Sequence, residues 1–377
     1  MSQWIKTKLG EIVILNYGKA LKAQDRNAGS IPVYSSGGLT GWHNKALINE
    51  QGIIIGRKGT VGKAYLTYGP FWCIDTAYYI LPNPSKYDFV FLFYLLKILG
   101  LEELNEDSAV PGLNRDTAYS QEILLPSLPE QKAIASVLSS LDDKIDLLHR
   151  QNKTLESMAE TLFRQWFDVD SNDEWQEKNV LDIFTLVGGG TPKTSVAEYW
   201  TDEIPWISGG DISAAHQGYL YSTEKSISLA GLQNSSAKLL PKNSTVISAR
   251  GTVGKYALLA RDMAFSQSNY GIVSKIGSYP FFIYLLVGFI VDDLLTAAYG
   301  SVFDTITTRT FESVNLKFPS LNSIEKFNEE ISPIFSKKET NTQQIKTLEN
   351  LRDTLLPKLM SGEVRVQYAE EAIASVA

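Results

Sequence analysis

The chain says nearly the same thing twice. The pentapeptide GTVGK occurs at Gly59 and again at Gly251, an offset of 192 residues. In the same order, Tyr78 aligns with Tyr270 (192), the triplet YLL at Tyr94 with YLL at Tyr284 (190), and PSL at Pro126 with PSL at Pro319 (193). Each half also opens on a tryptophan, WIKTKLGEI from Trp4 and WQEKNVLDI from Trp175, where the offset is only 171. The first copy is therefore shorter near its start, between roughly Gly38 and Ile53. A repeat of this length is a whole domain, so the chain is read as a tandem duplication and not as a solenoid of small units. Whatever one half folds into, the other must also fold into.

With 377 residues, 44% of them hydrophobic, there is material for more than one core. The single cysteine, Cys73 in the apolar run FWCID, excludes an internal disulfide framework and fits a small buried side chain in a reducing, cytoplasmic setting. The opening MSQWIKTKLGE has no apolar signal core. The greasiest stretches, Phe89 to Leu101 and Pro280 to Ile290, are short for a bilayer span and are expected to be buried helices. A net charge of −7 does not favour nucleic acid, whose phosphates are met by lysine and arginine. The charge is dispersed, however, and residues 1–125 carry 12 basic against 11 acidic groups, so a local basic face can coexist with the overall acidity.

Each half divides into a mixed part and a helical part. Short β-branched and aromatic runs (Gly52 to Ile55, Ala77 to Leu81, Ser244 to Ser248, Gly271 to Ser274) separated by Gly, Ser, Asn and Pro clusters predict strands and turns. One helix per half, near Phe89 to Leu101 and Pro280 to Ala298, makes these parts α+β with twisted sheets. After Pro129, the positions Leu138, Leu141, Ile145, Leu148, Asn152, Leu155, Ala159, Leu162 and Trp166 follow in steps of three and four, a heptad seam broken only by Asn152. The second copy runs Phe327, Ile331, Ile334, Lys338, Asn341, Ile345, Leu348, Arg352, Leu355 and Leu359. Two such helices, each following an equivalent domain, can pair as an antiparallel coiled coil about a pseudo-twofold axis. A pairing centred near residue 150 sets Asn152 against Asn341, a polar contact that fixes register at a cost in stability; the alternative leaves both asparagines at the wet edge of the seam. The boundaries expected are 1–126 and 171–318 for the two mixed domains, with helical segments at 127–170 and 319–377.

GTVGK is not a Walker A loop. The glycine required five positions before the Gly-Lys pair is replaced by Arg57 and Ala249, and the following Ser or Thr by Ala64 and Tyr256. Two readings stand side by side. A glycine turn between strands accounts for Gly59, Gly62, Gly251 and Gly254. Phosphate positioning accounts for Arg57, Lys58, Thr60 and Lys63 in one copy and Arg250, Thr252 and Lys255 in the other. Polar loops recur beside them: YSSGGLTGWHN, with Ser35, Ser36, Trp42, His43 and Asn44, and ISGGDISAAHQGY, with Ser208 and Asp211. A third aligned pair is Asp75-Thr76-Ala77 and Gln267-Ser268-Asn269. Side chains of this kind read base edges, and different ones on one frame would read different sequences, although drift after duplication gives the same pattern. No Cys/His spacing for zinc, nucleophile elbow, His-Glu-x-x-His helix or dinucleotide fingerprint occurs, so the chain reads as a binder without chemistry of its own.

Together these features resemble the specificity subunit of type I restriction-modification systems. The residues that carry the resemblance are Trp4, Leu9, Arg57 to Gly62 and LPSLPEQKAIASVL from Leu125, then Trp175, Arg250 to Gly254 and FPSL from Phe318. It spans almost the whole chain. The second helix start departs from it, with Asn322-Ser323 and Ile324-Glu325 where the first has Pro129-Glu130 and Gln131-Lys132. The resemblance implies a non-catalytic subunit whose two target-recognition domains each read half of a bipartite, asymmetric site in double-stranded DNA. It implies antiparallel spacer helices that dock two methyltransferase subunits, with Glu130, Gln131, Asn152 and Asn341 as docking candidates. It also implies no bound cofactor: S-adenosylmethionine, ATP and Mg²⁺ are expected on the methyltransferase and restriction subunits. A rival reading is a structural adaptor whose duplicated domains bind protein and never DNA.

Overall fold

A computed structural model describes residues 4–104, 112–167, 175–299 and 305–374. The chain divides into two compact units, Met1–Asp146 with Lys346–Ala377, and Leu147–Ile345. Two long helices pass from one unit into the other, so each unit holds a segment of both.

In the first unit, β1 (Ile5–Lys8) leads through the short α1 (Leu9–Ile12) to β2 (Asn16–Tyr17), β3 (Ile31–Ser35), β4 (Gly38–His43), β5 (Gly52–Gly56), β6 (Ala64–Thr67), β7 (Trp72–Cys73) and β8 (Ala77–Ile80). They form one sheet of order β2-β8-β5-β6 and a second of order β4-β3-β7. β5 reads GIIIG and is buried along its whole length, as a central strand covered on both faces must be. The buried Ile48, Ile54, Phe71, Cys73 and Ala77 pack together around it. Next comes α2 (Phe89–Ile98), which starts where the Asp88 carboxylate accepts from the amides of Val90 and Phe91, an N-cap. α3 (Arg115–Tyr119) is capped in the same way by Asn114, and β9 (Glu122–Leu125) returns to pair with β1. The 39-residue α4 (Leu128–Trp166) follows, about 58 Å long at 1.5 Å per residue.

The second unit repeats this order: β10 (Gln176–Asn179), α5 (Val180–Ile183), β11 (Phe184–Gly188) and β12 (Ile204–Ile207). Then come α6 (Gly209–Ala214), β13 (Tyr219–Leu220), β14 (Lys225–Ile227), α7 (Leu229–Gln233) and β15 (Leu239–Leu240), after which β16 (Thr245–Ser248), β17 (Tyr256–Leu259), β18 (Met263–Phe265) and β19 (Asn269–Ser274) resume the common pattern. The sheets run β11-β19-β16-β17-β13 and β14-β12-β18-β15. Ladder partners show where the copies diverge. Tyr34 pairs with Cys73 as Ile207 does with Phe265, and Ile53 with Ile80 as Thr245 does with Ile272. The additional residues of the second copy thus lie between β12 and β16, where they build α6 to β15.

The core of this unit is α8 (Pro280–Tyr299), followed by α9 (Thr308–Glu312), β20 (Asn315–Phe318), the 41-residue α10 (Leu321–Ser361) and α11 (Val366–Ala374). The helix expected near Pro280 to Ala298 spans 20 residues and is long and apolar enough, by length and composition, to cross a membrane. Within the unit it packs as a core helix. Phe282, Ile283, Leu286, Val287, Ile290 and Leu294 are buried against the sheet and against α4 and α10, while Asp292 and Asp293 are exposed.

The heptad seams pack antiparallel within each unit. In the first, Arg352 donates from Nη1 to Asp142 Oδ1 at 2.8 Å, and the Tyr94 hydroxyl donates to the other carboxylate oxygen at 2.6 Å. In the second, Asn341 Nδ2 donates to Asn152 Oδ1 at 3.0 Å and Asn152 Nδ2 to Thr342 Oγ1 at 3.1 Å. Lys338 forms a buried ion pair with Glu156. The seam differs from the expected one at its far end: Trp166 is exposed, and Phe163 and Phe167 are buried instead. A straight helix turns about 20° per heptad away from a 3.5-residue repeat, so after four heptads the neighbouring position faces the partner. In α10, Phe335 is buried where Ile334 was expected, and the seam returns to the expected positions at Lys338 and Asn341.

Candidate nucleic-acid interface

The GTVGK segments form the same loop in both units. In the first, Gly56 N donates to Lys63 O at 3.0 Å, Arg57 N to Thr76 O at 2.9 Å, and Gly62 N to Gly56 O at 2.9 Å. In the second, Ser248 N donates to Lys255 O at 2.7 Å, Ala249 N to Ser268 O at 2.9 Å, and Gly254 N to Ser248 O at 3.0 Å. Gly59, Gly62, Gly251 and Gly254 have φ of 82°, 77°, 78° and 81°, the left-handed region where a side chain is strained. The turn alone therefore requires the glycines. It does not require the cations: Lys58, Lys63, Arg250 and Lys255 all point into solvent from this frame.

The loop frame keeps the 192-residue offset of the repeat. Ala249 occupies the place of Arg57, and the partner of Arg250 is Lys58. Arg57 is half-buried, with its guanidinium 5.2 Å from the Tyr17 ring centre and 5.8 Å from that of Tyr78. It belongs to the first unit only.

Around the first loop the expected small polar groups do gather. Ser36 N donates to Thr76 Oγ1 at 3.3 Å, and a Cβ placed on Gly37 would lie 3.8 Å from both Ser35 Oγ and Thr60 Oγ1. Trp42 on β4 is 53% exposed, and Asn44 just beyond the strand is exposed. Around the second loop, Thr252 Oγ1 donates to Gly209 O at 3.1 Å, and Thr191 donates to Oε1 of the exposed Gln267. Ser268 is half-buried behind it.

Other expected contacts are committed to the fold. His43 is buried, accepts from Asn27 N at its Nδ1 (3.0 Å) and stands edge-on to Trp72, so it braces β4 and has no face toward a ligand. Ser208 and Asp211 form the capping box of α6, and the other Asp211 oxygen accepts from Glu224 N at 2.9 Å. Asn269 is 1% exposed and donates to Ser266 Oγ at 2.9 Å. Among the docking candidates, Gln131 is 1% exposed, with Oε1 accepting from Asp88 N and Nε2 donating to Pro126 O. Asn341 is fully buried in the seam with Asn152 half-buried beside it, and Glu130 accepts from Trp4 Nε1 at 3.2 Å. Backbone groups and neighbouring side chains of the fold claim these polar groups.

Three residues of this surface escape a motif search: Tyr17, Tyr78 and Arg115. The Arg115 guanidinium lies 5.4 Å from the Tyr17 ring centre, on a cleft of about 420 Å³ that also carries Arg57 and Lys58. Only the Asn114 cap preceding Arg115 has a local signal. In the second unit His216 sits beside the equivalent loop, its Nδ1 accepting from Tyr256 N at 3.3 Å. Burial, then the nearby Lys255 charge, lowers its pKa from the ordinary value, so the ring is held neutral.

Comparison with known proteins agrees with this duplicated arrangement. Residues 1–157 and 172–351 each match the family described as type I restriction modification DNA specificity domain. The chain is 28% identical over 302 residues to the type I restriction enzyme MjaIX specificity subunit of Methanocaldococcus jannaschii, covering 74% of this chain and 69% of that protein. It is 23% identical over 332 residues to the type I restriction enzyme HindI specificity subunit of Haemophilus influenzae, covering 67% and 71%. In fold it is similar to the crystal structure of a type I restriction-modification system S subunit from M. genitalium, with TM-score 0.66, 16% identity, and 95% and 96% of the two chains covered.

Proposed function

The chain belongs to the type I restriction modification DNA specificity family, and from that premise we propose that each of its units reads one half of a bipartite site in double-stranded DNA. The observation that carries this reading is a single loop frame built twice with different side chains at equivalent places. Asp75, Thr76 and Ala77 of the first unit correspond to Gln267, Ser268 and Asn269 of the second, and Lys58 to Arg250. A shared frame with exchanged polar groups is what two readers of different half-sites need. Lys58, Lys63, Arg250 and Lys255 meet the phosphates, and Ser35, Ser36, Thr60, Thr76, Thr252 and Gln267 lie where base edges can be reached.

In this reading the chain is non-catalytic. Methyl transfer, with S-adenosylmethionine, and ATP- and Mg²⁺-dependent cleavage are carried by separate methyltransferase and restriction subunits. The methyltransferase subunits dock on exposed faces of α4 and α10, since the seam residues are already used. The mild overall acidity supports a shared interface in which the partners supply further phosphate contacts.

The test is to produce the chain with its partner methyltransferase and map methylated adenines over the host DNA. Replacing the loops 35–44 and 57–63 by those of a relative should change one half of the recognised sequence and leave the other intact. A change in both halves, or in neither, would refute independent readers.

A further inference from the structure

The two units share a backbone frame, yet one surface feature is confined to the first. There the Arg57 guanidinium lies over both Tyr17 and Tyr78, at 5.2 and 5.8 Å, and the Arg115 guanidinium over Tyr17 at 5.4 Å. The two rings are themselves edge-on at 5.1 Å. Tyr17 is half exposed and Arg115 is exposed, so the stack opens to solvent. Lys58 adds a third cation to the same cleft, against one carboxylate, Asp116. Among the described residues none of the three cations is in an ion pair, and Arg57 Nε is buried without a hydrogen-bond partner. Ring faces attract a guanidinium but accept no N–H in its plane, so the donor edge of Arg115 remains unspent, while Arg57 shares a side-chain hydrogen bond with the Tyr78 hydroxyl and keeps its Nε without a partner.

Among the described residues the second unit has no equivalent stack. At the places of Tyr17, Arg57 and Arg115 stand Gly188, Ala249 and Thr308, while Tyr270 retains the place of Tyr78. Converging cations with free donors on rigid aromatic supports fit a phosphate oxyanion, which guanidinium groups bind bidentately.

We propose that the Arg57–Tyr17–Arg115 stack is a phosphodiester-binding site of the first unit alone, so that this unit anchors the DNA backbone more strongly than the second. The proposal rests on the DNA-reading function above and adds an asymmetry that this function does not require. Tyr17 acts as a positioning residue, holding two like charges at one spot.

The full chain in complex with its methyltransferase subunits is titrated against a labelled duplex carrying its site, between about 50 and 200 mM KCl. Arg115→Gln should lower the slope of log K against log salt by about 0.9, the loss of one phosphate contact, and weaken matched and scrambled duplexes alike. Arg115→Lys should restore most of the slope, and Thr308→Gln, at the equivalent place, should leave it unchanged. Inorganic phosphate at matched ionic strength provides a second arm. It should raise the melting temperature of the wild-type chain and not that of Arg115→Gln. A phosphate effect with an unchanged DNA slope would overturn assignment of the site to the DNA backbone; neither effect would overturn the site itself. If the wild-type complex failed to bind DNA at all, the reader function would fall, while the phosphate arm would still decide whether the oxyanion site exists.

Discussion

Lys338 and Glu156 form an ion pair inside the helical seam of the second unit, with side chains 8% and 14% exposed. Two further hydrogen bonds support the pair: Lys338 Nζ donates to Gln217 O at 2.9 Å, and the Tyr284 hydroxyl donates to Glu156 Oε1 at 2.9 Å. Burial pulls the ammonium down to about 8, so the cation is held against a desolvation cost. Lys338→Met should remove the only cation facing the carboxylate among the described residues, at a cost of about 3–5 kcal/mol, the range for stranding a buried charge. Glu156→Leu should cost less, because a lysine already displaced toward neutrality can give up its proton. The double variant leaves only the Tyr284 hydroxyl and the Gln217 carbonyl short of a partner, about 1–3 kcal/mol. It should therefore be more stable than Lys338→Met alone. Urea unfolding followed by hydrogen exchange at the buried amides of α8 reports this unit separately from the other. Additive losses, with the double variant costing the sum of the singles, would refute the argument that the pair is a mutually compensated unit.

Three further outcomes can be checked. Gly62→Ala should destabilise the first unit by more than about 2 kcal/mol in chemical denaturation, since its Cβ would meet Glu102 N at 2.3 Å as well as adopt φ +77°; Gly59→Ala, whose Cβ would meet Ser36 Oγ at an ordinary 3.8 Å, should cost only about 1 kcal/mol. His216 has its pKa lowered in the folded state, so the unfolded chain binds more protons just below pH 6.5. The stability it contributes is present above that pH and lost as pH falls through the lower folded value; melting curves at stepped pH should show this loss, and Lys255→Met should move it to higher pH. Removing one heptad from α4 around Leu148 and the facing heptad of α10 around Ile345 shortens each helix by about 10 Å. On the reader hypothesis the mapped gap between half-sites should then change by about three base pairs, and methylation persisting at the original gap would contradict it.

Much of the fold was legible because it is written in local patterns that obey fixed periods. The doubled text announced two equivalent domains. Steps of three and four marked both long helices, and of the two placements left open for Asn152 and Asn341 the fold adopts the paired one. The glycines of GTVGK implied a turn between strands, and the fold sets them at φ near +80°, where another residue is strained.

The binding surface was less legible, and the failures share a cause. Whether a polar side chain is available depends on what lies beside it in space. Asn269 and Gln131 look like free amides in the sequence and are buried, bonded groups in the fold. Tyr17 and Arg115 carry no motif between them and meet only because β2 and the start of α3 converge on one cleft. The sequence by itself determined the duplication, the helices and the turns, all governed by interactions within a few residues along the chain. Which cations remain unpaired, and where they converge, was decided only by tertiary packing, which selects among many side chains of the same polarity by burying some and leaving others to face the ligand.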